Sequence, residues 1–93
     1  MLIVISYDLK VPGRNYEPLY NAIKGAGTAW WHYLQSTWIV DVPNGTALSE
    51  VNERLRCHLD QNDRLLVSKL TSPYYDGWLT RDAWDWIKAR VTT

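Results

Sequence analysis

Asp8 is the residue of this sequence whose type and position best suit a chemical role. It follows the apolar run at residues 2–5, and the cations Lys10 and Arg14 come next along the chain. Carboxylates are oxygen ligands suited to Mg²⁺, and Lys and Arg side chains contact phosphates. One carboxylate is a poor metal site alone, but a two-fold axis would double it. These residues indicate Asp8 as a metal ligand, with Lys10 and Arg14 holding a phosphate near the metal.

Each of these three residues also has a purely structural interpretation. An aspartate at the start of a loop often accepts hydrogen bonds from nearby backbone N–H groups, here those of Val11 or Gly13. Lys10 and Arg14 would then be ordinary solvated charges in a loop that Pro12 and Gly13 introduce. The sequence leaves both interpretations open.

The histidines and the single cysteine offer weaker candidates. His32 and His58 have no second His or Cys at ligand spacing, so a zinc site within one chain is not expected. Cys57 and His58 are adjacent in a predicted helix and project about 100° apart, which disfavours a Cys–His nucleophile pair. His32 is either a general base for RNA cleavage or, as we favour, a strand histidine hydrogen-bonded within the fold.

Aromatic residues are the most distinctive feature of the composition, with six Trp, six Tyr and no Phe among 93 residues. Trp30, Trp31, Tyr33 and Trp38 fall in a predicted hairpin, where exposed rings could stack on bases. The formal net charge is zero, which argues against a strongly basic surface that binds nucleic acid. We therefore favour packing in the core and in a dimer for most of these rings.

Local patterns predict seven elements that would position these side chains. Apolar or β-branched runs predict strands, amphipathic periodicity predicts helices, and Pro- or Gly-containing segments separate them. Thr46 or Gly45 is expected to open the second helix, and Thr80 to cap the third. The predicted strands cover residues 2–5 (ending at 6–8), 28–34, 37–42 and 64–70, and the predicted helices 16–23, 48–59 and 80–91.

The order β-α-β-β-α-β-α predicts an α+β fold, a ferredoxin-like βαββαβ sandwich with an extra C-terminal helix. Residues 1–93 would form a single domain, with a core over about 1–72 and a helical extension over about 78–91. The first and third strands, which are the most apolar, would be central. Two helices cover one sheet face only, and one short helix is too small to cover the other, so we expect a homodimer.

Three segments, in order and at similar spacing, resemble a known family. They are an apolar strand ending in Tyr-Asp (5–9), a Gln-Ser turn opening an aromatic strand (35–39), and an Asp-Arg start to the last core strand (63–67). Together they resemble the small CRISPR-associated adaptation subunit, which is related to the virulence-associated D-type (VapD) ribonuclease toxins. The Trp-Trp-His-Tyr segment (30–33) and the Trp-rich tail (77–79, 83–86) are similar to short bacterial relatives labelled SinR-like.

This resemblance implies a ferredoxin-like protomer, a two-fold dimer and association with DNA or RNA. Some family members are reported as metal-dependent nucleases, and others act only as scaffolds; if this chain is an enzyme, the resemblance implies a Mg²⁺-dependent endonuclease. By this resemblance, Asp8 falls on the acidic position that in the family faces its symmetry mate and is proposed to hold Mg²⁺. Asp8 would then be the catalytic and metal-binding residue, and Lys10 and Arg14 would bind nucleic acid. Two departures are that this chain is less basic and that a Trp-rich helix replaces the family's short C-terminal strand or tail.

The sequence therefore supports two functions. The first is a homodimeric nucleic-acid-associated protein, with Mg²⁺ as cofactor if it cleaves. The alternative is a non-catalytic scaffold that binds a protein partner through its Trp-rich C-terminal helix. One cysteine and no recognisable signal peptide favour a cytoplasmic location. The apolar run at residues 1–5 is too short to span a bilayer, so no membrane association is expected.

Overall fold

The computed structural model describes residues 1–92 of the chain. Those residues form a four-stranded antiparallel sheet and three helices, which confirms the predicted α+β class and the additional C-terminal helix. The elements follow the predicted order along the chain. They are β1 (Leu2–Asp8), α1 (Glu17–Lys24), β2 (Ala29–Leu34), β3 (Thr37–Asp41), α2 (Leu48–Arg56), β4 (Arg64–Leu70) and α3 (Arg81–Lys88).

Strand β1 lies in the interior of the sheet, whose order is β2-β3-β1-β4. It pairs antiparallel with β3 on one side, where Ile3 faces Val40, and with β4 on the other, where Ile3 faces Lys69. Leu2, Ile3 and Ile5 are completely buried because the sheet is covered on both faces around them. The prediction that the two most apolar strands are central is confirmed, since β1 and β3 occupy both inner positions.

Helices α1 and α2 pack against the first face of the sheet. Leu19 and Ile23 of α1 and Leu55 of α2 are fully buried in one cluster with Ile3 and Ile5 of β1. Burying an aliphatic side chain of this size stabilises a fold by about 1.5–3 kcal/mol. The amphipathic spacing seen in the sequence therefore places both helices on the same side of the sheet.

The N-terminal cap predicted from the sequence is found in α3 but not in α2. Thr80 caps α3 as predicted, and its Oγ1 accepts a hydrogen bond from the Ala83 N–H at 3.3 Å. The prediction that Thr46 or Gly45 opens α2 is wrong. The helix begins at Leu48 after Ala47 with no side-chain cap. The Thr46 hydroxyl instead donates to the Pro43 carbonyl at 2.6 Å, so it does not cap the backbone N–H groups at the start of α2.

Helix α3 covers part of the second face. Ala83 and Ile87 are buried there against Leu2, Trp31 and Ile39. The segment after α3 is held to the end of β4, because the Thr92 carbonyl accepts hydrogen bonds from Ser72 N–H and Thr71 Oγ1. No helix within residues 1–92 has the length and apolar character needed to cross a membrane.

The remainder of the second face stays open, as the length of the last helix led us to expect. The alternation of β4 places Leu66 beside Ser6 on this face, and Leu66 is 65% exposed. Leu34, at the end of β2, is also exposed. Leu34 and Leu66 lie at opposite edges of one row of residues across the sheet, and the hydrogen-bonded pair Ser6 and Thr37 lies between them. We call these four residues the Leu34–Leu66 row.

Gly27, in the segment before β2, lies very close to Asp41 and Val40 of β3, and a substitution there tests this contact. A methyl group at this position would collide with the Asp41 carbonyl and lie 2.8 Å from Val40 Cγ1. We expect Gly27→Ala to lower the free energy of unfolding by about 1–3 kcal/mol or more, measured by urea denaturation.

The matched control is Gly25→Ala. An added methyl group there would meet nothing closer than 3.4 Å, and the backbone is right-handed helical. This change is expected to be neutral or to stabilise by up to about 1 kcal/mol. Equal stability of the two variants would contradict the predicted collision.

Candidate functional site

One end of the sheet gathers the three sequence segments on which the family resemblance rests. β1 is antiparallel to β3 and β4, so its last residues lie beside the first residues of both neighbours. Tyr7 N–H donates to the Ser36 carbonyl at 3.1 Å, and Asp8 lies opposite Arg64 in the register of β1 and β4. We call Tyr7, Asp8, Gln35, Ser36 and Arg64 the Asp8 end.

Asp8 itself is an accessible carboxylate. Its side chain is 62% exposed and forms an ion pair of 2.8 Å with Lys10 Nζ, which is 54% exposed. Pairs this exposed contribute about 0.2–1 kcal/mol, so an incoming ligand can separate the two groups at little cost. The alternative in which Asp8 accepts from Val11 or Gly13 N–H is not observed within residues 1–92. Val11 N–H donates to Tyr16 Oη instead, and no hydrogen bond joins Gly13 N–H to Asp8. The structure therefore leaves the Asp8 carboxylate available to a ligand.

Arg14 does not join Asp8 and Lys10. Its guanidinium lies 3.6 Å from the Asp60 carboxylate and donates to the His58 carbonyl at 3.3 Å. These contacts hold Arg14 at the segment between α2 and β4. Of the two cations predicted to bind phosphate, only Lys10 is beside Asp8.

Arg64 is a cation at the Asp8 end that sequence reasoning did not single out as a site residue. Its Nη1 donates to the carbonyls of Gln61 and Asp63 at 3.2 and 2.8 Å. The only sequence signal was its place at the start of the fourth predicted strand. The antiparallel register then puts that position opposite the end of the first.

Asp63 is the principal structural residue that the sequence did not reveal. It is only 6% exposed, yet its carboxylate accepts hydrogen bonds from Lys10 N–H (2.7 Å), Asp60 N–H (2.9 Å) and Tyr16 Oη (2.9 Å). Burial acts to raise the pKa of Asp63, but these donors outweigh it and lower the pKa below 3.8. Asp63 thereby ties the loop that carries Lys10 to the segment before β4.

Two shallow depressions flank Asp8. One, of about 330 Å³, is lined by Tyr7, Asp8, Leu9, Tyr20, Gln35 and Ser36. The other, of about 250 Å³, lies towards Arg64 and Leu66. Tyr7 is common to both, and its hydroxyl accepts from Trp38 Nε1 at 3.1 Å. Burial raises the pKa of Tyr7, so the phenol stays protonated at neutral pH.

The aromatic hairpin divides into buried and exposed rings. Trp31 and Trp38 are each 2% exposed, whereas Trp30 and Tyr33 are exposed. His32 stacks on Trp38 with ring centroids 3.7 Å apart, and its Nε2 lies 3.1 Å from the Gln35 carbonyl. These contacts agree with the interpretation of His32 as a histidine bonded within the fold.

Asp8 offers a single carboxylate to a metal ion. Residues 1–92 contain no group of three or more His, Cys, Asp or Glu side chains placed to share a metal ion. Asp8 nevertheless provides the hard oxygen donor that Mg²⁺ prefers, and Mg²⁺ commonly retains waters and binds phosphate oxygens. A second Asp8 across a two-fold axis would add another carboxylate.

Comparison with known proteins does not assign the chain to a family. No family model matches it, and no solved structure matches it significantly. The resemblance to the CRISPR-associated adaptation subunit therefore remains a prediction from the three segments.

The buried Asp63 carboxylate generates a prediction for stability. Because its pKa is lowered in the folded state, its stabilising effect is complete above pH 3.8 and is lost as the pH falls through the lower folded pKa. At pH 7, Asp63→Asn should lower the free energy of unfolding by about 1.5–3 kcal/mol, because it replaces charge-assisted hydrogen bonds. It should also reduce the loss of stability below pH 3.8.

Urea titrations at several pH values measure both effects. Asp85→Asn is the control, since Asp85 is 67% exposed and lies 4.0 Å from Arg81. It should change stability by no more than about 0.5 kcal/mol. The same pH profile for both variants would show that Asp63 does not make the proposed contribution.

Proposed function

We propose that this protein is a ferredoxin-like, homodimeric nucleic-acid-associated protein of the type of the CRISPR-associated adaptation subunit. The observation that carries the proposal is the meeting of three separated segments, which include Asp8, Gln35-Ser36 and Arg64, at one end of the sheet. The strand order β2-β3-β1-β4 and the alternation of strands and helices support the ferredoxin-like assignment.

The open part of the second sheet face supports dimerisation. Leu66 and Leu34 are exposed there, and strand alternation places Asp8 on the same face as Ser6 and Leu66. Two copies that pair their Leu34–Leu66 rows about a two-fold axis would bury these two leucines. The same contact would bring the two Asp8 carboxylates towards each other.

The chemistry of the Asp8 end suits a phosphodiester. Two Asp8 carboxylates would hold Mg²⁺, which supplies Lewis-acid activation of a phosphate and of water. Asp8 bound to the metal would release Lys10, and the freed ammonium would bind a phosphate oxygen. The same arrangement without an attacking water gives a scaffold that binds nucleic acid and does not cleave it.

A protein-interaction module is the second candidate, favoured by the region around α3. Trp78 is 98% exposed at the edge of an apolar groove of about 290 Å³ between α3 and the sheet. Trp31, which also lines the groove, has a buried indole N–H without an acceptor among the described residues. Trp78→Ala should abolish capture of a protein partner under this alternative and leave nucleic-acid binding unchanged.

Asp8→Asn tests the metal site. Binding and cleavage of labelled RNA, single-stranded DNA and duplex DNA are measured with Mg²⁺ or with a chelator. We expect cleavage to require Mg²⁺ and to fall at least about 10- to 100-fold in Asp8→Asn, because a metal ligand is lost. Asp85→Asn, an exposed carboxylate elsewhere, serves as the control.

The results separate the parts of the proposal. Cleavage that is unchanged in Asp8→Asn would refute the metal site, and binding without cleavage would identify a scaffold. A protein that is monomeric at micromolar concentration by light scattering would refute the paired Asp8 site. Absence of binding to all three nucleic acids would refute the proposal as a whole.

Lys10→Gln tests phosphate contact. Loss of one phosphate contact per protomer should weaken binding for every sequence and reduce the slope of log affinity against log salt by about 1 per protomer. Lys69→Gln is the matched control, because Lys69 is exposed and lies near the opposite end of β4, facing Ile3. Equal salt dependence in the two variants would show that Lys10 does not bind phosphate.

A further inference from the structure

The larger depression beside Asp8 has a composition that its proposed metal and phosphate chemistry does not explain. Two tyrosines, Tyr7 from β1 and Tyr20 from α1, form part of its lining. Gln35 and Ser36, in the turn between β2 and β3, form another part. Its volume of about 330 Å³ is at the lower end of the range for small-ligand sites.

The aromatic lining is held in place by its own contacts. The Tyr7 and Tyr20 ring centroids are 6.2 Å apart, and Tyr20 stacks on Trp38 at 6.1 Å. Trp38 is buried and donates its indole N–H to the Tyr7 hydroxyl. Tyr7 and Tyr20 are only half-buried, so their rings, tilted by 36° to each other, form an aromatic platform that is accessible from the depression. Such a platform suits a flat, aromatic ligand group.

The polar lining supplies groups suited to the edge of a planar heterocycle. Gln35 is exposed, and only its backbone carbonyl, not its side-chain amide, takes part in the hydrogen bonds found within residues 1–92. An amide offers both donors and an acceptor, as the edge of a nucleobase does. Asp8 lines the same depression, and its carboxylate is paired with Lys10, so a phosphate bound at Asp8 would lie next to the base.

We propose that this depression binds an unpaired nucleobase, which stacks on Tyr20 and Tyr7 and presents its edge to Gln35. The substrate is then single-stranded nucleic acid, because a base in a duplex is stacked and paired and cannot enter the depression. The inference rests on the proposed function, since it specifies the substrate of the same site. Tyr20 and Gln35 act as binding residues and take no part in bond cleavage.

Competition and fluorescence experiments on the full chain test this inference. Single-stranded RNA and DNA of one sequence, each carrying one 2-aminopurine, are compared with the corresponding duplexes. We expect tighter binding of the single strands and quenching of 2-aminopurine on binding, because the base stacks on tyrosine. Comparison of the RNA and DNA arms identifies which sugar the site prefers.

Variants at Tyr20 separate stacking from general binding. Tyr20→Leu should weaken binding of single strands by about 5- to 150-fold and remove the quenching. Tyr20→Phe keeps the ring and should behave as the unchanged protein. Tyr74→Leu is the matched control, because Tyr74 is exposed outside the depression, in the segment between β4 and α3. Gln35→Ala should reduce the differences in affinity among homopolymeric single strands.

The outcomes distinguish this inference from the proposed function. Duplexes bound as tightly as single strands, with no quenching, would overturn the base site and leave nucleic-acid association intact. Equal binding by Tyr20→Leu and Tyr74→Leu would also overturn it. If Tyr20→Leu does not fold, the comparison of single strands with duplexes on the unchanged protein still decides the matter. Failure to bind any nucleic acid would reject the proposed function and the inference together.

Discussion

Strand β1 is bonded on both edges and packed on both faces, and most other features of the molecule depend on this position. The helices on the two sheet faces enclose the N-terminal half of β1. Because β1 runs antiparallel to β3 and β4, its C-terminal residues lie beside the turns that precede those two strands. Leu2, Ile3 and Ile5 provide the buried part. Asp8, only a few residues away, is accessible to solvent for the same geometric reason.

The buried carboxylate of Asp63 holds together the segments next to the Asp8 end. A carboxylate as enclosed as Asp63 would be destabilising without partners, because transfer of an ion out of water is costly. Two backbone N–H groups and the Tyr16 hydroxyl offset that cost and connect the loop after β1 to the segment before β4. The connection gives Lys10 a defined place beside Asp8. Asp63 is therefore a positioning residue, remote from solvent.

The two faces of the sheet are covered unequally, and this inequality leads to both candidate functions. Helices α1 and α2 enclose the first face. Helix α3 covers only the part of the second face near Leu2, Trp31 and Ile39. In the proposed dimer the Leu34–Leu66 row would contact a second copy of the chain, and under the alternative the groove beside Trp78 would bind a different protein. Tyr20, by contrast, belongs to the first face and reaches the Asp8 end from α1.

The sequence by itself determined the α+β class, the order of the seven elements, the bounds of β4 and the Thr80 cap, because these depend on neighbouring residues and on short periodic patterns. It also pointed to Asp8 and Lys10, since a carboxylate and a cation after an apolar strand are visible locally. The sequence did not allow us to predict that Arg14 pairs with Asp60 or that Asp63 is buried. It also did not show that Tyr20 and Gln35 line the same depression. Only the tertiary structure decided those features. Their partners are distant along the chain, and they meet through strand register and helix packing, which no local pattern encodes.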